Sequence, residues 1–383
     1  MAALRVRVYN VRFGDAVLVT VPERVRGKAV KRHMLVDFGN VLADEGGVDE
    51  VFQPILQDVL AELDGRPLDL YVMTHEHMDH VQGLLHCSRA HGLTLPVTHA
   101  WLTASAQPGY YDNHPKARKK LDDARAAYRG ATRFLGAVPE ARASLGPMLF
   151  NNNPRRTGDC VEFLRGVASK KTTYVHRTRA LGRSHPFTEA QLEVWAPEED
   201  SSIYYGTFQP SAFAVRSGGA AGADRSLGAM TPPRGVDNGA FQALVESRAR
   251  GVFDNLLSID RAANNSSVVF AIEWRGWRLL FPGDAEHRSW KEMHKRGVLK
   301  PAHFLKVSHH GSWNGTPTGE ILDQILPARP PDRRQRHAAV STCTGTYHNV
   351  PDEETLARLK ERCRVHSVEE SPGELFLDIE FPG

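Results

Sequence analysis

Along residues 4–11 and 16–21 apolar positions alternate with basic or polar ones, the period of two expected of strands, with Arg12-Phe13-Gly14-Asp15 as the connection. A basic loop over residues 24–32 follows. Met34-Leu35-Val36-Asp37 then predicts a third strand, closed by Phe38-Gly39-Asn40, where Gly39 can take the positive φ of a tight turn. Val51, Ile55, Val59 and Leu63 fall at helical spacing and predict a helix over residues 49–63. The nearly unbroken apolar run over residues 68–73 predicts a buried strand, and a helix follows over residues 79–90. Residues 97–102 predict one more strand.

The pattern loosens from about residue 105 to residue 185, which reads as a mainly helical insertion. Residues 192–195 return to strand character, residues 215–235 are rich in Gly, Ala, Ser and Pro and read as a mobile loop, and residues 237–257 read as helix. Residues 267–274 and 277–281 predict a hairpin around Arg275-Gly276. A helix over residues 286–296 and a strand over residues 304–307 come next. Strand, helix and strand at 338–342, 351–362 and 374–379 complete the chain. The strand-strand-helix rhythm of the start recurs loosely near the end. The expectation is one α/β domain spanning residues 1–383, with an insertion at about 105–260.

Candidate chemistry gathers at predicted strand ends. Thr74-His75-Glu76-His77-Met78-Asp79-His80 directly follows the buried run 68–73. A His-x-His pair on a tight turn can place both imidazoles on one ion, and the Asp-His that follows can reach a second ion beside it. Mixed imidazole and carboxylate ligands suit zinc, manganese or iron. Pro282-Gly283-Asp284 ends the second hairpin strand, and the Asp284 carboxylate could bridge two metals. Ser308-His309-His310-Gly311-Ser312 again sets histidine where strand gives way to loop. Asp37 either supports the histidine loop from behind or simply caps its turn. His348, in the polar loop 345–351, either faces the site or lies on the surface.

Composition changes this picture little. Of 383 residues, 41% are hydrophobic and 24% charged, as in ordinary globular proteins, and a net charge of +3 does not by itself announce a nucleic-acid binder. Cys87, Cys160, Cys343 and Cys363 form no Cys-x-x-Cys pair, which argues against a zinc ribbon and a disulfide framework. The first residues lack the apolar stretch of a signal peptide, and no run approaches the ~20 apolar residues of a membrane span. A cytoplasmic protein without a membrane partner is expected. Three basic clusters punctuate the insertion: 114–120 with Arg125, Arg129 and Arg133; Asn151-Asn152-Asn153-Pro154-Arg155-Arg156; and Lys170-Lys171 with Arg177, Arg179 and Arg183. They could hold a phosphate backbone, or be solvated faces, since few aromatics interleave with them.

The order His-x-His-x-Asp-His, then a Gly-Asp strand end, then a late His resembles the metallo-β-lactamase superfamily. Within it the chain looks most like the metallo-hydrolase domain of ComEC/Rec2-type DNA-uptake proteins. Phe13-Gly14-Asp15-Ala16, Leu35-Val36-Asp37-Phe38-Gly39, Asn265-Ser266-Ser267-Val268-Val269, Phe281-Pro282-Gly283-Asp284-Ala285-Glu286 and Lys306-Val307-Ser308-His309-His310-Gly311-Ser312 carry that likeness. The resemblance implies a four-layer αββα sandwich binding two divalent metal ions, Zn or Mn. His75 and His77 would hold one. Asp79, His80 and either His309 or His310 would hold the other, with Asp284 bridging; His309 is preferred because it directly ends its strand. Many family members carry a further His about twenty residues before Gly-Asp. Here Arg261-Ala262-Ala263-Asn264-Asn265 stands there, so the first ion would need solvent or an insertion residue such as His176 or His185.

The function implied is a metal-dependent hydrolase, foremost a phosphodiesterase or nuclease with nucleic acid as substrate. A metal-bridging hydroxide would attack and Asp79 would take part in catalysis. His310 or His348 would protonate the leaving group, or only hydrogen-bond behind the site. The same centre could serve a small ester, a cyclic nucleotide or a lactone. A non-catalytic module with a structural metal is the third expectation.

Overall fold

A computed structural model of the protein describes residues 2–41, 48–136, 139–206, 208, 238–329, 332–371 and 373–383. Thirteen strands form two mixed sheets among these residues. The first sheet takes β1 (Leu4–Tyr9), β2 (Val17–Val25), β3 (Lys28–Val36), β4 (Leu68–Met73), β5 (Val97–Thr103), β6 (Ala168–Val175) and β13 (Phe376–Phe381), in the order β13-β1-β2-β3-β4-β5-β6. The second takes β7 (Gln191–Ala196), β8 (Val269–Trp274), β9 (Trp277–Phe281), β10 (Phe304–Lys306), β11 (His337–Val340) and β12 (Arg364–Ser367), in the order β12-β11-β10-β9-β8-β7.

Both sheets change from antiparallel to parallel pairing partway across. In the first the change falls between the β2–β3 pair and the β3–β4 pair; in the second it falls between β8–β9 and β9–β10. On the parallel side of each change, neighbouring strands end at the same edge of the sheet. The motifs at Asp37, His75–His80, Asp284 and His310 all follow these strands. The sequence rhythm noted above therefore corresponds to a repeated topology.

Alternation of side chains splits the core into layers. Val6, Val19, Met34, Leu70 and Val72 of the first sheet share one buried cluster with Phe270, Ile272, Leu279, Phe281 and Phe304 of the second. The opposite face of the first sheet buries α1 (Val48–Leu63) and α2 (Met78–His91). The opposite face of the second buries α8 (His287–Lys295), α9 (Gly319–Ile325) and α10 (Glu353–Lys360). This arrangement is compatible with a two-sheet sandwich. The hairpin turn at Arg275 and Gly276 has φ of 49° and 80°, the left-handed pair that matches strand twist.

The stretch read as an insertion divides differently. It contains α3 (Tyr110–Asn113), α4 (Pro115–Gly136), α5 (Pro139–Asn151), α6 (Pro154–Arg165) and most of α7 (Asn238–Asn265), but also β6 and β7, which are edge strands of the two sheets. Nor is its helical part remote. Val161 and Leu164 of α6 are buried in the same cluster as α1 and α2. The loop expected at 215–235 lies outside the described residues. No helix among the described residues is long and apolar enough to cross a membrane.

Candidate metal centre

Backbone contacts hold the histidine turn before any side chain is considered. The amides of Asp15 and Phe38 donate to the carbonyls of Asp79 and His80, at 3.0 and 2.8 Å, and Gly83 donates back to Phe38 O at 2.8 Å. So close an approach leaves no room for side chains: a Cβ on Gly39 would lie 2.3 Å from His80 N, and one on Gly14 would lie 2.2 Å from Gly39 O. The glycines following Phe13 and Phe38 are thus required by the packing of three loops.

Among the described residues three groups of buried side chains could hold metal ions: Asp79, His80, Asp284 and His310; His75, His77 and Asp79; and, behind the turn, Asp15, Asp37 and His80. Each imidazole is held on its outer side by a protein acceptor, which fixes where its proton sits. His80 Nδ1 lies 2.8 Å from Asp37 Oδ2, and His310 Nδ1 lies 2.9 Å from Ser341 O. His75 Nδ1 lies 3.1 Å from Thr74 Oγ1, whose own hydroxyl donates to Asp37 Oδ2 at 2.6 Å. His77 Nε2 lies 2.9 Å from Asn152 Oδ1. With those outer nitrogens donating, the other four nitrogens face inward. His75 Nε2 and His77 Nδ1 stand 3.0 Å apart, His80 Nε2 is 3.2 Å from Asp284 Oδ2, and His310 Nε2 is 3.3 Å from Asp79 Oδ2 and 3.4 Å from Asp284 Oδ2.

His80 Nε2, His310 Nε2 and Asp79 Oδ1 are buried and have no hydrogen-bond partner. Buried polar atoms left bare are costly, so a cluster of them with lone pairs converging fits a cation. The electrostatics agree. Burial alone would raise Asp79 and Asp284, yet the His80 and His310 imidazoles hold both carboxyls below their ordinary value, Asp284 far below. Burial would lower His310, but Asp284 and Asp79 push it up to about 10, and His80 is likewise driven well up, chiefly by Asp284 and Asp79. The pair of carboxylates thus demands positive charge here, as protons or as a divalent ion. Burial, reinforced by His80 and His77, drives His75 well down and keeps it neutral, the form a metal binds.

Asp37 is the hub behind the turn. Its carboxylate accepts from Thr74 N at 2.7 Å, from Thr74 Oγ1 and from His80 Nδ1, and burial is what raises it above an ordinary carboxyl. Of its two expected roles it fills the supporting one. Its φ of 55°, with 49° at His309 and 53° at His310, puts three non-glycine residues of the site in the left-handed region, a strain that surrounding contacts must hold. Asp15 is a second support: it pairs with buried Lys306 Nζ at 2.8 Å and accepts from Ser341 Oγ.

Those left-handed residues turn the two histidines apart, and it is His310, not the preferred His309, that joins Asp79, His80 and Asp284. The strand ends at Lys306, and the turn over Ser308–Gly311 rotates the chain so that strand alternation no longer applies. His310, completely buried, points into the four-residue group, while His309 is partly exposed and lies 3.6 Å from Glu286 and 3.3 Å from Asn264. His348 is exposed. Its neighbour Tyr347 packs against Phe13 at 4.9 Å, and its hydroxyl is pushed well up by burial and then by the Asp79, Asp260 and Asp284 carboxylates, so Tyr347 is the residue of that loop that faces the centre.

Neither His176 nor His185 approaches His77: one bonds Thr178 and the other packs on Trp101. The insertion contributes instead through Asn151 and Asn152 at the end of α5. Asn151 Oδ1 accepts from Asp79 N at 3.1 Å, at the start of α2, and Asn152 orients His77. Asn153 caps α6, accepting from the amides of Arg155 and Arg156. In the sequence these asparagines belong to a polar, basic loop, open to a phosphate backbone or to solvent; the Asn-Pro start of α6 is the signal that places Asn153 at a cap and turns its two predecessors inward. Asp260, on α7, was missed altogether. Comparison of the chain with protein-family models and with curated proteins found no match.

Proposed function

We propose that the protein is a metal-dependent hydrolase of the metallo-β-lactamase type, with the four-layer αββα arrangement, acting on phosphodiesters. The observation that carries this reading is the convergence of four inward imidazole nitrogens, two of them without a partner, and the Asp79 and Asp284 carboxylates at the carboxyl ends of strands of both sheets. His75, His77, Asp79, His80, Asp284 and His310 would hold two divalent ions. Such ions, when bound, supply an activated water and stabilise charge developing on the attacked group.

The chain's own residues orient and shield. Asp37, Thr74, Ser341 and Asn152 fix the tautomers of the four histidines. Phe13 covers His310, with ring centroids 4.3 Å apart, and keeps water off that side. His77 and Asn152 help line a cavity of about 630 Å³, and Arg118, Arg125 and Arg165 line it too. Arg118 and Arg165 pair there with Asp112 and Glu162, and guanidinium groups lining such a cavity suit a phosphate-bearing substrate.

Incubating the protein with linear double-stranded DNA, single-stranded DNA and an activated phosphodiester in Mn²⁺ or Zn²⁺ tests this. Cleavage lost in Asp79→Ala/His80→Ala supports it; cleavage that survives that double variant, or none by the native protein on any phosphodiester, overturns it. The bounded cavity, of a size that takes small ligands, favours a second reading on the same centre, a small ester or cyclic nucleotide. Added salt separates the two, because binding that neutralises several phosphates weakens steeply with salt and binding of one small ester does not.

A further inference from the structure

Asp260 on α7, Glu286 at the start of α8 and His309 form a further group of potential ligands, with one donor atom from each lying within 4.8 Å of the others. None of them belongs to the groups above. A single amide nitrogen, Asn264 Nδ2, sits among them at 2.8 Å from Glu286 Oε1, 3.2 Å from Asp260 Oδ2 and 3.3 Å from His309 Nε2. It has two hydrogens for three acceptors. Asn264 is completely buried, and its own carbonyl oxygen has no partner; neither does His309 Nδ1. Compensating positive charge is slight, since Arg261 reaches Glu286 only at 4.0 Å.

Two carboxylates and an imidazole make an electron-rich pocket short of positive charge, and the bare Asn264 oxygen lies at the other end of the amide that fills it. A half-turn of the Asn264 amide exchanges its donor for that oxygen and presents a fourth ligand to the same point. We propose that Asp260, Glu286, His309 and Asn264 form a third cation site beside the inner pair. Three oxygens and one imidazole suit a hard ion that tolerates nitrogen, so Mn²⁺ is the ion expected. The His309 and Asp260 side chains are 21% and 14% exposed, against 3% or less for His77, Asp79, His80, Asp284 and His310. The third ion therefore exchanges with solvent more readily than the inner two.

This site stands apart from the hydrolase reading, and counting ions tests it without turnover. Metal-free protein titrated with Mn²⁺ alone, free ion being read by electron paramagnetic resonance, takes up three ions per chain, one more weakly. Glu286→Gln and His309→Ala each lose that weak ion and keep two, with thermal unfolding showing that the fold persists. Glu286→Gln keeps the shape of the side chain and an oxygen for the Asn264 amide. Uptake of two ions or fewer by the native protein, unchanged uptake in both variants, or loss of an inner ion with Glu286→Gln overturns the proposal. If Asp79→Ala/His80→Ala leaves all three ions bound, the inner-site reading fails instead.

Discussion

Asn152 Oδ1 lies 2.9 Å from His77 Nε2, and the same side chain donates through Nδ2 to Asp260 Oδ1 at 2.7 Å and to Met148 O at 3.0 Å. Those two acceptors fix which end of the amide is oxygen. The oxygen in turn fixes the proton of His77 on Nε2, so Nδ1 is left to face His75. The insertion therefore sets the chemistry of the histidine turn from outside it.

Asn152→Ala removes the acceptor and frees His77 to carry its proton on either nitrogen. The ion held by His75 and His77 should bind about 10- to 100-fold more weakly, the usual cost of losing the partner behind a ligand. Zn²⁺ competition titration should show the ion at Asp79, His80, Asp284 and His310 unchanged. Equal weakening of both would mean that Asn152 supports the whole turn rather than one imidazole.

Period-two and helical spacing located most strands and helices because those patterns are written locally. Leu68–Met73 and the hairpin around Arg275 are examples. The short β12 and α9 were not anticipated; with four and seven residues they carry too few positions to show a period. Side-chain direction across a turn was not legible either. His309 and His310 differ in role through two successive left-handed residues, which no spacing rule expresses. Asp260 was invisible for another reason: it meets His77 across 183 residues of chain, in a helix whose pattern shows only its apolar face. By contrast Asp37, His75, His77, Asp79, His80 and Asp284 were readable because each sits at or just after a strand end that the pattern marks.

Replacing the two neighbouring histidines in turn should separate their roles. His310→Ala deletes an inward nitrogen and leaves Asp79 and Asp284 with one imidazole fewer, so one inner ion should be lost at micromolar metal. His309→Ala should leave both inner ions in place. Ion content after gel filtration decides between them, and loss of an inner ion from His309→Ala would reverse the assignment.

Gly39→Ala should be among the most damaging small substitutions in the protein. The added Cβ would meet His80 N at 2.3 Å, Asp79 C at 2.4 Å and Met78 O at 2.5 Å, all backbone atoms that cannot rotate away. A cost above about 4 kcal/mol is expected, comparable with the whole stability of many domains. Gly158→Ala is the control. It lies in α6 with nothing within 4 Å of the new Cβ, and should be neutral or stabilise by up to about 1 kcal/mol through helix propensity. Chemical denaturation of both variants checks the contrast; a Gly39→Ala protein as stable as the native one would mean that the three loops can separate.

Acid sensitivity should have an identifiable source outside the metal centre. His33 on β3 is 1% exposed, and burial, followed by the Arg66 charge, lowers it from 6.5 to about 4. The folded protein therefore keeps His33 neutral where the unfolded chain has already taken up a proton. Between pH 6.5 and about 4 the unfolded state binds more protons, so stability falls as pH falls, by at most about 3 kcal/mol from this residue, and levels off below pH 4. His33→Gln removes the titration. It leaves the His33 amide bond to Asp69 Oδ2 available, because that bond comes from the backbone. His337, also lowered to about 4 by burial and then by His366, adds a separate slope that both proteins share. Urea denaturation at pH 7, 6, 5 and 4.5 should thus show the gap between native and variant stability narrowing or reversing as the solution is acidified. Parallel curves across that range would show that His33 takes up its proton without unfolding.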